Sequence, residues 1–272
     1  MMIFYRYDDH GYGTFDPDIK EMTYELENFT AIAIKNPCHC NIEIVKTNYM
    51  QNRIVINGKD DFIDTVQFSV KNDTLNIDIK NTVQTIVEKN ENNCITLYVN
   101  FDLGEELSVS VGGSGKITTT LPFKNGYLAV GGSGKIYALD FMNVKASVAG
   151  SGIIKIKNVR DNSVFSVSGS GNINSELVGG KSEIKIAGSG NVNICEAICD
   201  ITSAIAGNGN INIGGNANNV EVKIAGSGNF NGEKLTVKNI SSKVSGSGNV
   251  TVNKINGKFE HRGKNGKIKI IG

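Results

Sequence analysis

The sequence predicts an all-β fold: a single-stranded parallel β-helix, or solenoid, with coils of about 19 residues. Three observations carry that reading. A Gly-Ser/Asn-Gly unit recurs, and the glycine after its Ser or Asn falls at Gly115, Gly134, Gly152, Gly171, Gly190, Gly209, Gly228, Gly248 and, in a last, degraded copy, Gly266. The steps between these are 19, 18, 19, 19, 19, 19, 20 and 18 residues. Apolar residues alternate with polar ones on both sides of the unit, as Ile184, Ile186, Val192 and Ile194 do against Glu183, Lys185, Asn191 and Asn193. No window holds a helical period; Phe62–Val66 allows at most one short turn.

Residues 1–28 form an acidic, aromatic N-terminal arm. It holds Phe4, Tyr5, Tyr7, Tyr12, Phe15 and Tyr24. Seven acids (Asp8, Asp9, Asp16, Asp18, Glu21, Glu25, Glu27) face only Arg6 and Lys20. Such rings suit a strap that covers one end of the fold, or a segment that docks a partner.

Residues 29–110 read as irregular β-helix coils. Ala31–Ile34, Ile42–Val45, Ile54–Gly58, Val66–Val70, Leu75–Ile79 and Ile95–Val99 alternate with period two, and Asn36-Pro37 and Lys71-Asn72-Asp73 turn the chain.

Residues 111–272 read as regular coils. Glycines 113 and 115, 132 and 134, 150 and 152, 169 and 171, 188 and 190, 207 and 209, 226 and 228, and 246 and 248 are the predicted structural turns. In residue names these are Gly113, Gly115, Gly132, Gly134, Gly150, Gly152, Gly169, Gly171, Gly188, Gly190, Gly207, Gly209, Gly226, Gly228, Gly246 and Gly248. Glycine supplies positive φ without a side-chain clash and removes bulk inside a bend. Coils stacked about 4.8 Å apart align like residues. Ser170, Ser189, Asn208, Ser227 and Ser247 then form one outward ladder, which Ser114, Ser133, Ser151 and Asn265 extend. Asn172, Asn191, Asn210, Asn229 and Asn249 form the next, with Lys116, Lys135 and Lys267 at equivalent places. Amides in such a ladder can bond along the stack. A Leu or similar residue precedes the next corner: Leu139 or Phe141, Leu177, Val220.

The order Phe29-Thr30-Ala31-Ile32, Pro37, Ile42-Glu43-Ile44, Gly58, Leu75-Asn76-Ile77 and then the Gly-Ser-Gly-Asn-Ile/Val units resembles the head GIN domain family of putative auto-transporter adhesins. The resemblance covers about residues 29–270. It implies a right-handed parallel β-helix, on exported or envelope proteins of bacteria. It implies no catalytic residues.

Composition narrows the function. A formal net charge of +1 argues against a nucleic-acid partner. Only Arg6, Arg53, Arg160 and Arg262 offer a guanidinium. No apolar run is long enough for a spanning helix. Met1–Tyr7 lacks the pattern of a signal peptide. With five cysteines and no disulfide framework, that favours the cytoplasm, whereas the resemblance points to the envelope or secretion. Cys38-His39-Cys40, with Cys94, has metal-ligand residue types at too tight a spacing, and reads as a turn. Cys195 and Cys199 lie in a coil, one of them inward. Gly-x-Gly without a following helix does not signal phosphate. The repeats lack the Asp of a calcium roll, so neither metal nor cofactor is expected.

The expected function is therefore a non-catalytic binding or structural protein, adhesin-like, that presents a repetitive polar surface to a protein or glycan. One alternative is a scaffold that forms homo-oligomers through the solenoid ends, where the acidic arm meets Lys254, Lys258, Arg262, Lys264, Lys267 and Lys269. The other is a carbohydrate-active β-helix enzyme using Asp140, Asp161 and Asp200 on nearby coils.

Overall fold

The structure is a computed structural model that describes residues 4–5, 19–35, 40–80, 93–263 and 266–272. Expectations placed on Tyr7, Asp8, Asp9, Tyr12, Phe15, Asp16, Asp18, Asn36-Pro37, Cys38, His39, Lys264 and Asn265 lie outside those residues, as do the side chains of Phe4 and Tyr5.

The chain forms a parallel β-solenoid of about nine turns at a spacing of about 19 residues. Its strands lie on two principal faces. The front face takes the strand that follows each glycine unit, and the back face takes the strand that precedes it. Alternation of apolar and polar residues decides this: each strand turns its apolar side to the space between the faces.

The first strands are β1 (Phe4–Tyr5), β2 (Lys20–Leu26), β3 (Ala31–Lys35), β4 (Asn41–Lys46) and β5 (Asn52–Gly58). A single helical turn, α1 (Asp60–Ile63), leads to β6 (Val66–Lys71), β7 (Thr74–Ile79), β8 (Cys94–Val99), β9 (Gly104–Val111), β10 (Lys116–Thr119) and β11 (Phe123–Val130). On the front face the spatial order is β1-β2-β5-β8-β4-β10, antiparallel up to β8 and parallel after it. On the back face it is β6-β7-β3-β9-β11, with only β6–β7 antiparallel. The coil made of β3 and β4 is thus not the end of the stack. It lies between β7–β8 on one side and β9–β10 on the other.

The N-terminal end closes with antiparallel strands instead of a further coil. Phe62 of α1 is buried beneath them. Tyr24, on β2, meets Phe68, on β6, edge to face at 5.0 Å.

Regular coils follow. Each is one long bent strand: β12 (Lys135–Val148), β13 (Ile153–Val167), β14 (Asn172–Ile186), β15 (Asn191–Gly207), β16 (Asn210–Gly226) and β17 (Asn229–Gly246). Shorter strands end the stack: β18 (Val250–Ile255), β19 (Phe259–Gly263) and β20 (Ile268–Ile270). Register is kept from coil to coil. Ile154, Ile173, Val192, Ile211 and Phe230 stack on the front face. Val148, Val167, Ile186, Ile205, Ile224 and Val244 stack on the back. All of these are buried.

A third inward column runs at the corner between the faces: Phe123, Phe141, Val159, Val178 and Ala197. At its wide end the rings of Phe29, Phe101, Phe123 and Phe141 succeed one another at 5.9, 6.1 and 6.3 Å between centroids. Leu177, expected to lead into the corner, is only half-buried; Val178 beside it takes the inward place.

The motif glycines answer mainly to space and only partly to φ. Among the motif glycines described, Gly207, Gly226 and Gly246 have φ in the left-handed range. Of the two reasons for glycine given by the sequence, positive φ therefore applies at these three corners. The other constraint is the coil beneath. A Cβ on Gly209 would lie 2.3 Å from the carbonyl oxygen of Gly190 and 2.5 Å from Ile186 Cγ2. Gly190, Gly228 and Gly248 repeat that clash at 2.2, 2.2 and 2.1 Å from the carbonyl one coil below. The turns stack backbone on backbone, and no side chain fits between them.

Candidate functional site

The outward side of the front face carries carboxamides in register. Asn191 donates from Nδ2 to Asn172 Oδ1 at 3.0 Å, Asn210 to Asn191 at 3.1 Å, Asn229 to Asn210 at 3.0 Å and Asn249 to Asn229 at 3.2 Å. Each amide uses its oxygen upward and its nitrogen downward, so one repeated residue meets both needs. Two residues along the strand runs a second ladder. Asn193 donates to Asn174 at 2.8 Å, Asn212 to Asn193 at 2.7 Å and Asn231 to Asn212 at 2.8 Å. The sequence reading named only the first ladder. The signal for the second was present, since Asn-x-Asn recurs after the glycines and period two puts both residues on one face.

Toward earlier coils the same rows change chemistry. Lys116 and Lys135 take the first row. Tyr137 takes the second, with the ammonium groups of Lys116 and Lys155 at 5.6 and 5.5 Å from its ring centroid.

The turn residues Ser170, Ser189, Asn208, Ser227 and Ser247 are exposed. Their backbone N–H groups donate to glycine carbonyls one coil below, at 3.0–3.1 Å. A side-chain contact joins Ser227 and Ser247, Oγ to Oγ, at 3.0 Å.

The back face bends into a groove of about 810 Å³ that runs along the solenoid axis. Six coils line it: five with the same three positions, 162–164, 181–183, 200–202, 219–221 and 239–241, and the sixth with Lys258 and Glu260. One wall is a row of Asn162, Lys181, Asp200, Asn219, Asn239 and Lys258. The floor includes Ser163 and Ser182, buried, with Oγ donating to Oγ at 2.8 Å. Glu183, Thr202, Glu221 and Ser241 stand on the other wall. Nothing in the 19-residue period announced this groove, because concavity depends on how the corner bends.

Three of its four carboxylates are engaged; Glu260, on the last coil, stands exposed. Asp200 Oδ1 accepts from Asn219, from the backbone N–H at 3.0 Å and from Nδ2 at 3.2 Å. Glu183 pairs with Lys185 at 2.5 Å and Glu221 with Lys223 at 2.7 Å. Asp140, Asp161 and Asp200, considered together from sequence, are not brought into one row. Asp140 is level with Asn158, and it meets Asn158 Nδ2 at 2.8 Å and Arg160 at 3.3 Å. Asp200 is level with Lys181, and Asp161 lies beside Asn162 one coil further back. These three aspartates do not face one gap as the acid and carboxylate of glycoside cleavage would.

Cysteine chemistry is muted. Cys199 is buried, and burial, with Asp200 adding to it, pushes its thiol up to about 12. Burial also raises Cys94, partly offset by its contact with Thr96. Cys40 is buried and Cys195 exposed. Among the described residues no three His, Cys, Asp or Glu side chains converge on a metal position.

Comparison with known proteins places this geometry. The pattern of the family described as "Putative auto-transporter adhesin, head GIN domain" matches residues 28–197 and 173–260. A putative adhesin from Parabacteroides distasonis is similar in structure, with TM-score 0.62 and 16% identity over 93% of this chain and 97% of that one. A putative lipid binding protein from the same species gives TM-score 0.55 and 19% identity over 92% and 96%. A putative adhesin from Parabacteroides merdae gives 0.55 and 17% over 88% and 96%. At these identities the likeness is one of fold. No curated protein matches the chain.

Proposed function

We propose that this chain, which belongs to the head GIN domain family of putative auto-transporter adhesins, is a non-catalytic, adhesin-like binding protein that holds an extended partner along its axial groove. One observation carries the reading: six successive coils offer equivalent positions to one groove, while three of the four carboxylates there, Glu183, Asp200 and Glu221, are tied to lysines or an amide. A repeated row of donors and acceptors suits a repetitive ligand. Carboxylates held in ion pairs and in hydrogen bonds from an amide suit recognition better than proton transfer. The parallel ladders make the wall stiff, so little ordering cost falls on binding.

The test is a glycan array probed with the intact protein, followed by titration of any hit. Thr202→Trp fills the groove from an exposed position and leaves the inward columns alone. The expected result is loss of binding in that variant, with the ligand recovered at its original length. Binding retained by Thr202→Trp would sink the groove reading. Shortened ligand would favour the enzyme alternative.

A further inference from the structure

The N-terminal part of the front face carries a second polar site, distinct from the groove. Arg53 stands on β5, level with Tyr98 on β8 and Glu25 on β2. The connection from β4 to β5 crosses the end of β8 and is pinned there. Thr47 N–H donates to Val99 O at 2.8 Å, Asn100 Nδ2 to Met50 O at 2.7 Å and Asn100 N–H to Asn52 Oδ1 at 2.9 Å. Tyr49 N–H donates to Thr47 Oγ1 at 3.2 Å, which sets Tyr49 at the tip. The result is a guanidinium between two rings. Arg53 Cζ lies 4.8 Å from the ring centroid of Tyr49 and 4.4 Å from that of Tyr98.

The rings hold Arg53 by its faces and leave its edge without an acceptor. Its Nε is buried with no hydrogen-bond partner, and among the described residues Arg53 makes no ion pair. Glu25, its cross-strand neighbour, is exposed and does not close on it. A guanidinium offers five donors in one plane and no acceptor. Arg160, by contrast, is already paired with Asp140. Holding a planar fork in place lowers the ordering cost of a bidentate contact, and a carboxylate is a group that matches it.

The setting selects the bearer of that carboxylate. β5 is paired on both edges, with β2 and β8, and β8 with β5 and β4. A peptide cannot add a strand here, so recognition falls to side chains alone. Tyr49, whose ring lies against the guanidinium, is 65% exposed, and Met50, next along the chain, is 96% exposed, so apolar surface adjoins the charge. That combination fits a sugar ring carrying its own carboxylate. The geometry points to a hexuronate site: Arg53 takes the carboxylate end-on, and Tyr49 and Met50 cover the C–H face of the ring.

The experiment is calorimetric titration of the full chain with trigalacturonate and with its methyl ester, circular dichroism checking each variant's fold. Wild type binds the acid and not the ester. Arg53→Lys keeps the charge but loses the fork and weakens binding roughly tenfold or more. Tyr49→Ala, on an exposed tip, weakens it several-fold without loss of fold. Glu25→Gln tightens it, because a like charge across the strand from Arg53 no longer repels the incoming carboxylate. Thr202→Trp changes nothing, which separates this site from the groove. No binding by wild type, equal binding of acid and ester, or wild-type affinity in both Arg53→Lys and Tyr49→Ala overturns the assignment. Loss in Thr202→Trp alone places the sugar in the groove and overturns it as well.

Discussion

Oδ1 of Asn191 takes two hydrogen bonds from Asn210, one from Nδ2 at 3.1 Å and one from the backbone N–H at 3.3 Å. Asn210 in turn accepts from Asn229. A side chain in this row therefore bonds above and below, and it also fixes the backbone of the next coil.

Asn210→Ala removes bonds on both sides and leaves amides on Asn191 and Asn229 short of partners. The expected loss is about 1–3 kcal/mol, since an orphaned half-buried polar group costs more than a bond's net worth. Asn210→Asp keeps the acceptor for Asn229 but loses the donor toward Asn191, and it sets a carboxylate against a carbonyl oxygen. It costs at least as much. Urea unfolding of the three proteins checks this, and wild-type midpoints in both variants would refute it.

Gly209→Ala drives a methyl into Gly190 O and Ile186 Cγ2. The neighbours are backbone and a packed branch, so neither yields easily. We expect a loss of about 3 kcal/mol or more. Gly112→Ala is the control, because a Cβ there meets nothing within 4 Å. It should be neutral or stabilising by about 0.4–1 kcal/mol through the unfolded chain. Similar melting temperatures for the two variants would show that the turns do not depend on close stacking.

Phe123 is fully buried in the aromatic column, between Phe101 and Phe141. Phe123→Ala should cost about 3–5 kcal/mol. Phe123→Leu should recover much of that. Guanidinium unfolding with an unchanged midpoint in the Ala variant would count against this column as core.

Thiol labelling should separate Cys195 from Cys199. At pH 8 the exposed Cys195 reacts first, and Cys199, its thiol pushed up to about 12, stays protonated and covered until the fold opens. Peptide mapping after a short iodoacetamide pulse reads this directly; equal labelling would contradict it. The same shift bears on stability. Above the ordinary thiol value of 9.0 the unfolded chain releases this proton while the folded one keeps it up to about 12. The unfolded state then binds fewer protons, so stability falls as pH rises through that window. A Cys199→Ser variant should lose less stability than wild type over the same range.

The regular coils were legible because their causes are local and repeated. Glycine spacing gave the coil length, and alternation around Ile184 and Val192 gave the inward side. Asn191 above Asn172 followed from counting. The reason for the glycines was only half legible, because a clash with Gly190 O belongs to another coil and leaves no mark on the strand's own pattern.

The early strands were found as strands, yet their order was not. Ile42 pairs with both Ile95 and Ile117, and nothing in its alternation says which segments will flank it. Arg53 was noted only as one of four arginines. Its cage needs Tyr49 from a crossing loop and Tyr98 from a strand far along the chain, a convergence that periodicity cannot express.

The position of β3 and β4 inside the stack bears on how the molecule is made. Each coil after β12 finds its template in the segment synthesised just before it, so growth there proceeds by short loop closures. Lys116 must instead find Asn41 with all of β5 to β9 between them. Long closures of this kind are slow to form. We expect the slow step of folding to be set at the amino-terminal end, with the later coils propagating from it like a crystal from a seed.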